Sequence, residues 1–303
     1  LRQITGNQFV HVGGIAAPLP VIHFHRSADL GQCPLNSLLL IGSLLFLFLL
    51  GLCLAGEELA PHDPLAIDLM HLLAAPSSTY LLGTDQLGRC VLSRILCGAR
   101  NSLASALAAV GLALGIGLPL GLLAGLGTRR IDRLLTGLCD VVLAFPFLIL
   151  ALALTAVLGP SLSSLILGTG LAGWAWWARF VRGMALDAGD KDFVRQGRAM
   201  GLGRTCLLRR YILPQMLPPL LVSISLSSGR MIVVISSLSY LGLGVQPPQP
   251  EWGLMLRESM LHIASAPWLA VAPGLAASTA VLCFTLLGEG LKDHFQVRPV
   301  HAA

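Results

Sequence analysis

Polar side chains recur along one apolar stretch, residues 217–242, that is long enough to cross a lipid bilayer. At helical spacing, four of them share one face: Ser223, Ser227, Arg230 and Ser237. A charged side chain at mid-membrane costs at least ~2.5 kcal/mol on insertion scales, so Arg230 should face a protein interior or a water-filled cavity. Two interpretations stay open. Arg230 is either a structural group bonded to backbone carbonyls or serines, or it lines a path for a polar solute, which the accompanying serines favour.

The segment 192–214 is a second candidate site, because it is basic and partly helical and lies between two apolar stretches. It reads DFVRQGRAMGLGRTCLLRRYILP: a short helical pattern, glycines at Gly201 and Gly203, and a second helix that we expect to end at Pro214. The segment cannot cover all of its own apolar residues, which are Phe193, Val194, Met200 and Leu202. It therefore predicts a surface that docks a partner, and a solvated basic loop is the alternative.

Residues 239–256 follow the polar stretch and read SYLGLGVQPPQPEWGLML. Gly242 and Gly244 allow a sharp chain reversal, and the prolines from Pro247 onward stiffen the chain after it. We expect Trp252 to anchor at the level of the lipid headgroups. A re-entrant element of this kind suits the mouth of a pore, because non-helical backbone at membrane depth is tolerated only against protein or water. A purely structural lid and direct contact with a docking partner are both open.

The composition indicates that lipid is the solvent of this chain. Of its 303 residues, 55% are hydrophobic and 12% are charged, whereas a typical soluble domain has about 25% charged residues. The apolar residues form long continuous blocks, which predicts an all-α integral membrane protein and not the alternating strands of a barrel. The net charge of +5 is expected from basic residues in the cytoplasmic loops, which fix the orientation of a membrane protein, and it does not indicate nucleic-acid binding. The seven cysteines show no metal-ligand spacing, so neither a metal nor a cofactor is predicted.

Six stretches have the length and hydropathy of transmembrane helices, at about 37–56, 102–126, 134–158, 163–183, 217–242 and 268–290. The remaining segments are assigned by their composition. Residues 1–36 are expected to be a poorly structured N-terminal leader, residues 57–101 an extracytoplasmic segment and residues 296–303 a tail. The main transmembrane domain covers residues 102–295 and contains a cytoplasmic loop at about 184–216.

The distribution of basic residues predicts the orientation. With the N-terminus in the cytoplasm, about eleven basic residues fall in or beside the inner loops and four fall outside. This bias predicts that both termini are cytoplasmic. The outer residues are Arg89, Arg94, Arg100 and Arg257. Because three of them lie within residues 89–100, we expect that segment to have its own role at the outer edge of the membrane.

Small residues recur in the second apolar stretch. Gly111, Gly115, Gly117, Gly121 and Gly125 form three G-x-x-x-G pairs, a spacing that lets helix backbones approach closely in lipid. Packing within the chain is the simpler interpretation, and packing against a second subunit is the alternative.

The sequence also limits the possible activities. It contains no G-x-x-x-x-G-K-[ST] phosphate-binding loop, so the chain does not hydrolyse ATP by a P-loop of its own. Its histidines have no catalytic or metal-ligand spacing, and we predict that it is not an enzyme. An ion-coupled secondary transporter is the alternative function, and it requires an ionisable group within the membrane. Asp140 is the only evident acidic candidate for that role.

The segment 192–214 resembles the coupling loop of permease subunits of bacterial ABC importers. The signature of that loop is Glu-Ala-Ala, a glycine four residues on, and Ile-x-Leu-Pro. Gly201 matches the glycine and residues 213–214 match the closing Leu-Pro, whereas residues 195–197, Arg-Gln-Gly, stand at the Glu-Ala-Ala positions. In the family this loop is a short helix that sits in a groove of the ATPase subunit. The resemblance implies these coupling residues: Asp192, Arg195, Gly197, Ala199, Gly201, Leu213 and Pro214.

Two further stretches are similar to the peptide/nickel branch of these permeases, whose members pair with a second, different permease. The first, residues 80–103, reads YLLGTDQLGRCVLSRILCGARNSL and resembles the segment before their second span, with Cys90 where Asp is usual. Residues 239–256 resemble their outer loop. The resemblance covers about residues 37–295. It implies these residues on the outer side, towards a binding protein: Gly83, Asp85, Gly88, Arg89, Gly242, Gly244, Pro247 and Trp252.

The resemblance implies the fold of a type I ABC importer permease of about six transmembrane helices and a non-enzymatic role. The chain would form half of a translocation path across the bacterial inner membrane, lined by the polar face defined above. The implied partners are a second permease subunit, two ATP-binding ABC subunits, an extracytoplasmic substrate-binding protein and membrane lipid. Peptide, nickel, metal chelate and opine all stay open as the transported solute.

Overall fold

The structure, a computed structural model, describes residues 9–12, 15–18 and 37–295. Near the N-terminus, β1 (Phe9–Val12) and β2 (Ile15–Pro18) form an antiparallel two-stranded sheet in which Val10 pairs with Ala17. The rest of the predicted leader, and the predicted tail at 296–303, lie outside the described residues.

The larger unit is built from helices, apart from the mainly irregular segment 56–90. Its helices are α1 (Ser37–Ala55), α2 (Val91–Leu126), α3 (Arg129–Leu143), α4 (Phe147–Leu158), α5 (Leu162–Gly189), α6 (Asp192–Ala199), α7 (Arg204–Leu207), α8 (Leu213–Tyr240), α9 (Trp252–Ser259) and α10 (Trp268–Phe295). Short 3-10 turns lie at Leu69–His71 and Met260–His262, and a π-helical turn at Leu208–Ile212 joins α7 to α8.

Helices occupy all six stretches that the sequence predicts to be apolar spans. By length and composition, four helical runs in the described part of the chain can cross a membrane: α1, α2, the run Thr205–Tyr240 that ends with α8, and α10. A fifth is possible if α3 and α4, which meet at 84°, count as one broken span. α5 covers the fourth predicted stretch and is long enough to span, but it is not apolar enough to join this group. The all-helical membrane architecture is confirmed.

Three boundaries differ from the sequence expectation. α2 begins at Val91, so the last part of the predicted extracytoplasmic segment 57–101 is already helix. The predicted third span breaks at Pro146, which has no N–H to donate to a continuing helix and lies at the N-cap of α4. The prediction that Pro214 ends a helix is wrong. It lies two residues after the π-helical turn, and the helix continues through it to Tyr240.

α2 and α5 form the most extensive helix pair of the bundle, and their backbones touch. A Cβ on Gly117 would lie 2.5 Å from Trp177 Cβ, and a Cβ on Gly121 would lie 2.5 Å from the Ala178 carbonyl oxygen. In contrast, a Cβ on Gly111 or Gly115 would meet nothing within 4 Å. Glycine is therefore required only along the half of the small-residue stripe that contacts α5, and there it packs within the chain.

The other long helices complete the bundle. α10 packs between α1 and α8, and α4 packs against α5. α9 lies beside the C-terminal end of α8, in contact with both α8 and α10. In this bundle α5 contacts α8; the C-terminal end of α5 leads into α6, and α7 leads into the N-terminal end of α8.

We predict that Gly121→Ala destabilises the protein and that Gly115→Ala does not. A methyl group at position 121 overlaps the α5 backbone, and overpacking of this kind costs about 1–3 kcal/mol. At position 115 the methyl group meets open space, and Ala is the better helix former by up to ~1 kcal/mol. Thermal unfolding of the two variants in detergent measures the difference. Equal shifts for both would contradict the α2–α5 contact.

Candidate functional site

Two residues of the polar face on α8 line one cavity. Arg230 Nη2 donates a hydrogen bond of 3.0 Å to Ser227 Oγ, and the guanidinium carbon lies 5.4 Å from the centroid of the Trp176 ring. The cavity has a volume of about 280 Å³ and lies between α5, α8 and the junction of α3 and α4. Its walls include Phe145, Phe147, Trp176, Trp177, Ser227 and Arg230.

The other two residues of the predicted polar face lie elsewhere. Ser237 lines a separate groove of about 770 Å³ between α8 and α10, and its hydroxyl donates to the Val233 carbonyl oxygen at 2.8 Å. Ser223 is half-buried and lines neither of these two spaces. Helical spacing therefore identified the common face, but the structure brings only Ser227 and Arg230 together.

Sequence reasoning missed the aromatic wall of the cavity. Trp176 stacks on Phe180 with ring centroids 5.3 Å apart, and Trp177 is buried beneath it against α2. The signal was present in the sequence as the run GWAWWARF at residues 173–180. Its meaning depends on α5 lying beside α8, which the run does not reveal.

The carboxylate proposed for ion coupling is already paired. Asp140 forms an ion pair with Arg179, and both side chains are about half exposed. About one turn further along α5, Arg182 binds the two oxygens of Asp132 at 2.5 and 2.8 Å. Asp140 is thus one half of a helix-joining pair between α3 and α5, not an isolated membrane carboxylate.

The segment 192–214 folds as a compact helical turn. The side chain of Val194 is fully buried, and a Cβ on Gly197 would lie 2.8 Å from Leu207 Cδ2, so α6 packs directly on α7. Phe193 and Tyr211 add a ring contact at 6.2 Å. The apolar residues of this segment are therefore covered partly by the segment itself, more than the sequence suggested.

Gly201 terminates α6 in a Schellman motif. Its φ of +80° is the left-handed conformation that glycine adopts most easily. Its N–H donates to the Arg198 carbonyl at 3.0 Å, and the Leu202 N–H donates to the Gly197 carbonyl at 3.1 Å. Glycine is needed here for its backbone conformation, because a Cβ would meet nothing within 4 Å.

The remaining coupling candidates lie around this turn. Asp192, Arg195 and Ala199 are exposed on α6, and Arg195 approaches Asp190 at 3.4 Å. Leu213 is half-buried and Pro214 exposed at the start of α8. α6 therefore presents a polar, mainly basic face to the outside, while its apolar face holds it to the membrane helices.

A buried ion cluster holds the outer segment to the bundle. Arg89 Nε binds Asp85 Oδ2 at 2.7 Å, and Arg94 Nη1 lies 2.5 Å from the same oxygen and 2.9 Å from Glu258 Oε2. Both arginines are at most 2% exposed. The two positive and two negative charges balance, as a buried cluster requires. The expected separate role of residues 89–100 is thus to join the start of α2 to the end of α9.

The expectation that Trp252 anchors in the headgroup region is wrong. Its side chain is 2% exposed, and its indole N–H donates to the Ile95 carbonyl at 3.1 Å, which fixes α9 on α2. The neighbouring Glu251 caps α9 by accepting hydrogen bonds from the N–H groups of Gly253 and Leu254. Burial raises the pKa of the Glu251 carboxyl group above its usual range.

Most of the other residues assigned to the outer side are also enclosed. Gly83, Asp85, Gly88, Arg89 and Gly244 are buried, Gly242 is half-buried and Pro247 is exposed. The burial of these members favours the structural lid over direct contact for them, and their assignment to the outer side stays a prediction. The outer surface of this loop is the exposed stretch 246–249.

The chain matches a family model described as binding-protein-dependent transport system inner membrane component, over residues 117–299. It is 39% identical to the glutathione transport system permease protein GsiD of Pectobacterium atrosepticum, over 82% of this chain and 83% of that protein. It is 38% identical to the di/tripeptide transport system permease protein DppC of Pseudomonas aeruginosa, over 87% and 89% respectively. It is 36% identical to the nickel transport system permease protein NikC of Escherichia coli, over 83% of this chain and 91% of that protein.

A solved structure shares the fold. A chain from the MetNI methionine ABC transporter in inward facing conformations superimposes with a TM-score of 0.55 and 18% identity, over 65% of this chain and 93% of that one. At this identity the likeness supports the fold alone. The family match runs from within α2 through α10, and the relatives match more than four fifths of the chain. The chain therefore belongs to the inner-membrane components of binding-protein-dependent transport systems, as a permease subunit of the peptide/nickel branch of ABC importers.

Proposed function

We propose that this permease subunit lines one half of a path for peptides, nickel or a related metal chelate, and is driven by ATPase subunits that dock on α6. The observation that carries the proposal is the continuity between α6 and the cavity. α5 ends at Gly189, three residues before α6 begins, and α7 runs through the π turn into α8. The two helices that lead away from the docking face are the same two that carry Trp176 and Arg230.

This connection gives a mechanism for coupling. A displacement of α6 by the closing ATPases moves α5 and α8 at their cytoplasmic ends, and so shifts the walls of the cavity. The α6–α7 contact at Val194, Gly197 and Leu207 makes the turn rigid enough to transmit such a shift. ATP binding would then bias the protein between two packings, open to the inside and open to the outside.

The departure from the Glu-Ala-Ala signature fits the local packing. Gly197 stands where the signature has alanine, and Leu207 occupies the space that a Cβ would need. Arg195 stands where the signature has glutamate and is exposed. We therefore expect the ATPase groove that receives α6 to place an acidic or neutral side chain, and not a basic one, opposite Arg195.

The partners follow from the same arrangement. The face that carries Phe145, Trp176 and Arg230 is uncovered in the single chain, and a second permease subunit would close the path there. Two ATPases would engage the two permeases, and an external binding protein would approach the exposed loop 246–249. The excess of arginines in the loops around α3 and α6 supports cytoplasmic termini in the bacterial inner membrane.

Substitution of Gly201 by valine should abolish ATP-driven uptake without preventing membrane insertion. A β-branched residue disfavours a φ of +80°, so the Schellman turn opens and α6 loses its fixed position. Gly203→Ala is the matched control, because Gly203 has no positive φ and its Cβ would meet open space. Uptake and membrane-fraction yield are measured in cells that lack the native chain. Normal uptake by the Gly201→Val variant would refute the coupling role.

The tagged chain should copurify from detergent with a P-loop ATPase and a second permease. Reconstituted with a binding protein, this complex should require ATP and continue transport when the proton gradient is collapsed. Asp140→Asn should retain most of the uptake, because the carboxylate serves an exposed ion pair and not ion coupling. If the chain purifies alone and its transport stops when the proton gradient is collapsed, the result would instead favour an ion-coupled transporter.

Arg94→Gln should destabilise the outer end of the protein by about 3–5 kcal/mol, because it leaves buried carboxylates without their partner. Arg100→Gln removes the same charge from an exposed pair, with Glu57 at 3.6 Å, and should change stability little. Limited proteolysis of the segment 57–90 and thermal unfolding in detergent measure both effects. Equal stability of the two variants would show that the buried cluster does not hold the outer segment.

A further inference from the structure

Arg230 differs from the two arginines of α5, which are paired with carboxylates of α3. On α5, Arg179 pairs with Asp140 and Arg182 pairs with Asp132. Within the described residues no carboxylate lies within 4.0 Å of Arg230, although it sits inside an apolar span. A charge in this position is costly, and such residues commonly mark the route of a solute or ion.

The contacts of Arg230 orient its guanidinium group and leave most of its donors free. Trp176 supports the group by a cation–π contact at 5.4 Å, and Ser227 Oγ accepts one N–H at 3.0 Å. A guanidinium group has five N–H donors in a planar fork, so four remain. This fork matches the two oxygens of a carboxylate, which it can bind in a bidentate manner.

The surrounding cavity fits a small group with an apolar neighbour. Its volume of about 280 Å³ is near the lower limit of ordinary ligand pockets, enough for one end of a small solute. Phe145, Phe147 and Trp177 supply apolar and aromatic walls beside the charge. Arg230 lies ten residues before the outer end of α8 at Tyr240, which is roughly 15 Å along the helix.

The lining excludes a bare metal ion. No Asp, Glu, His or Cys contributes to the described walls of this cavity, so it offers no ligand that Ni²⁺ prefers. The positive charge of Arg230 would also repel a free divalent cation. A metal could approach this site only inside a complex that presents negative groups.

We propose that the cavity at Arg230, Trp176 and Ser227 is a transient binding site for a carboxylate group of the transported solute. The inference rests on the proposed path and narrows its solute to carboxylate-bearing molecules, either short peptides with a free C-terminus or carboxylate chelates of a metal. Arg230 binds the carboxylate, Trp176 holds the guanidinium plane in place, and the aromatic wall takes the adjoining apolar part.

The test measures binding to the assembled transporter in detergent without its binding protein, so that the preference of that protein does not enter. Tryptophan fluorescence is followed on titration with dialanine, dialaninamide, nickel–citrate and nickel chloride at up to millimolar concentrations. We expect dialanine or nickel–citrate to change the signal, and dialaninamide and nickel chloride not to. Response to dialanine identifies the peptide source, and response to nickel–citrate identifies the chelate source.

Variants separate a binding role from a structural one. Arg230→Gln should weaken binding of the responding carboxylate by about 10- to 100-fold, as loss of a charge-assisted hydrogen bond predicts, and Arg230→Lys should restore part of it. Arg100→Gln, which removes an exposed outer charge, should bind as the unaltered chain does. Trp176→Phe should remove much of the fluorescence signal.

Three results would overturn the inference: no response to either carboxylate, equal responses to dialanine and its amide, or full binding by the Arg230→Gln transporter. ATP-dependent uptake by the same preparation is read separately. If ATP-dependent uptake is observed in any of those cases, the importer function stands. If uptake is absent, the result counts against the proposed function itself.

Discussion

The close approach of α2 and α5 is the constraint on which the rest of this structure depends. In lipid no water is expelled when helices meet, so close van der Waals packing must hold them together. Gly117 and Gly121 provide it by bringing the α2 backbone against Trp177 and Ala178. The position of α5 in turn fixes Trp176 at the wall of the cavity and sets where α6 begins, three residues after α5 ends. One helix contact thereby positions both the cavity and the segment 192–214.

The treatment of charge follows a second rule, that an ion away from water requires a partner. Arg94 shows the rule at the outer end, where it shares the oxygens of Asp85 and Glu258 in a neutral buried cluster. Arg182 shows it between α3 and α5. Arg230, which is exposed in the single chain, has a π-system and a hydroxyl as partners in place of a carboxylate. A scaffold that neutralises these other arginines leaves this one available to a ligand.

The local sequence pattern predicted the structure best in the segment 192–214. The sequence predicted a short helix, a glycine turn and a second helix, and α6, the turn at Gly201 and α7 agree with it. It could not predict that Gly197 packs on Leu207, because that contact depends on how sharply the turn folds back. The same limit explains the error at Pro214, since a proline closes one helix or opens the next according to the chain before it.

The sequence by itself determined the membrane-helical class, the six apolar stretches and the membership of the peptide/nickel permeases. Those conclusions depend on composition, block length and the order of motifs, all of which are local in the chain. Only the tertiary structure decided which polar residues share a cavity and which outer residues are buried. Trp252 meets a carbonyl 157 residues earlier, and Arg94 meets Glu258 across 164 residues. Spacing within one segment carries no information about such contacts, because they arise only when separate helices pack.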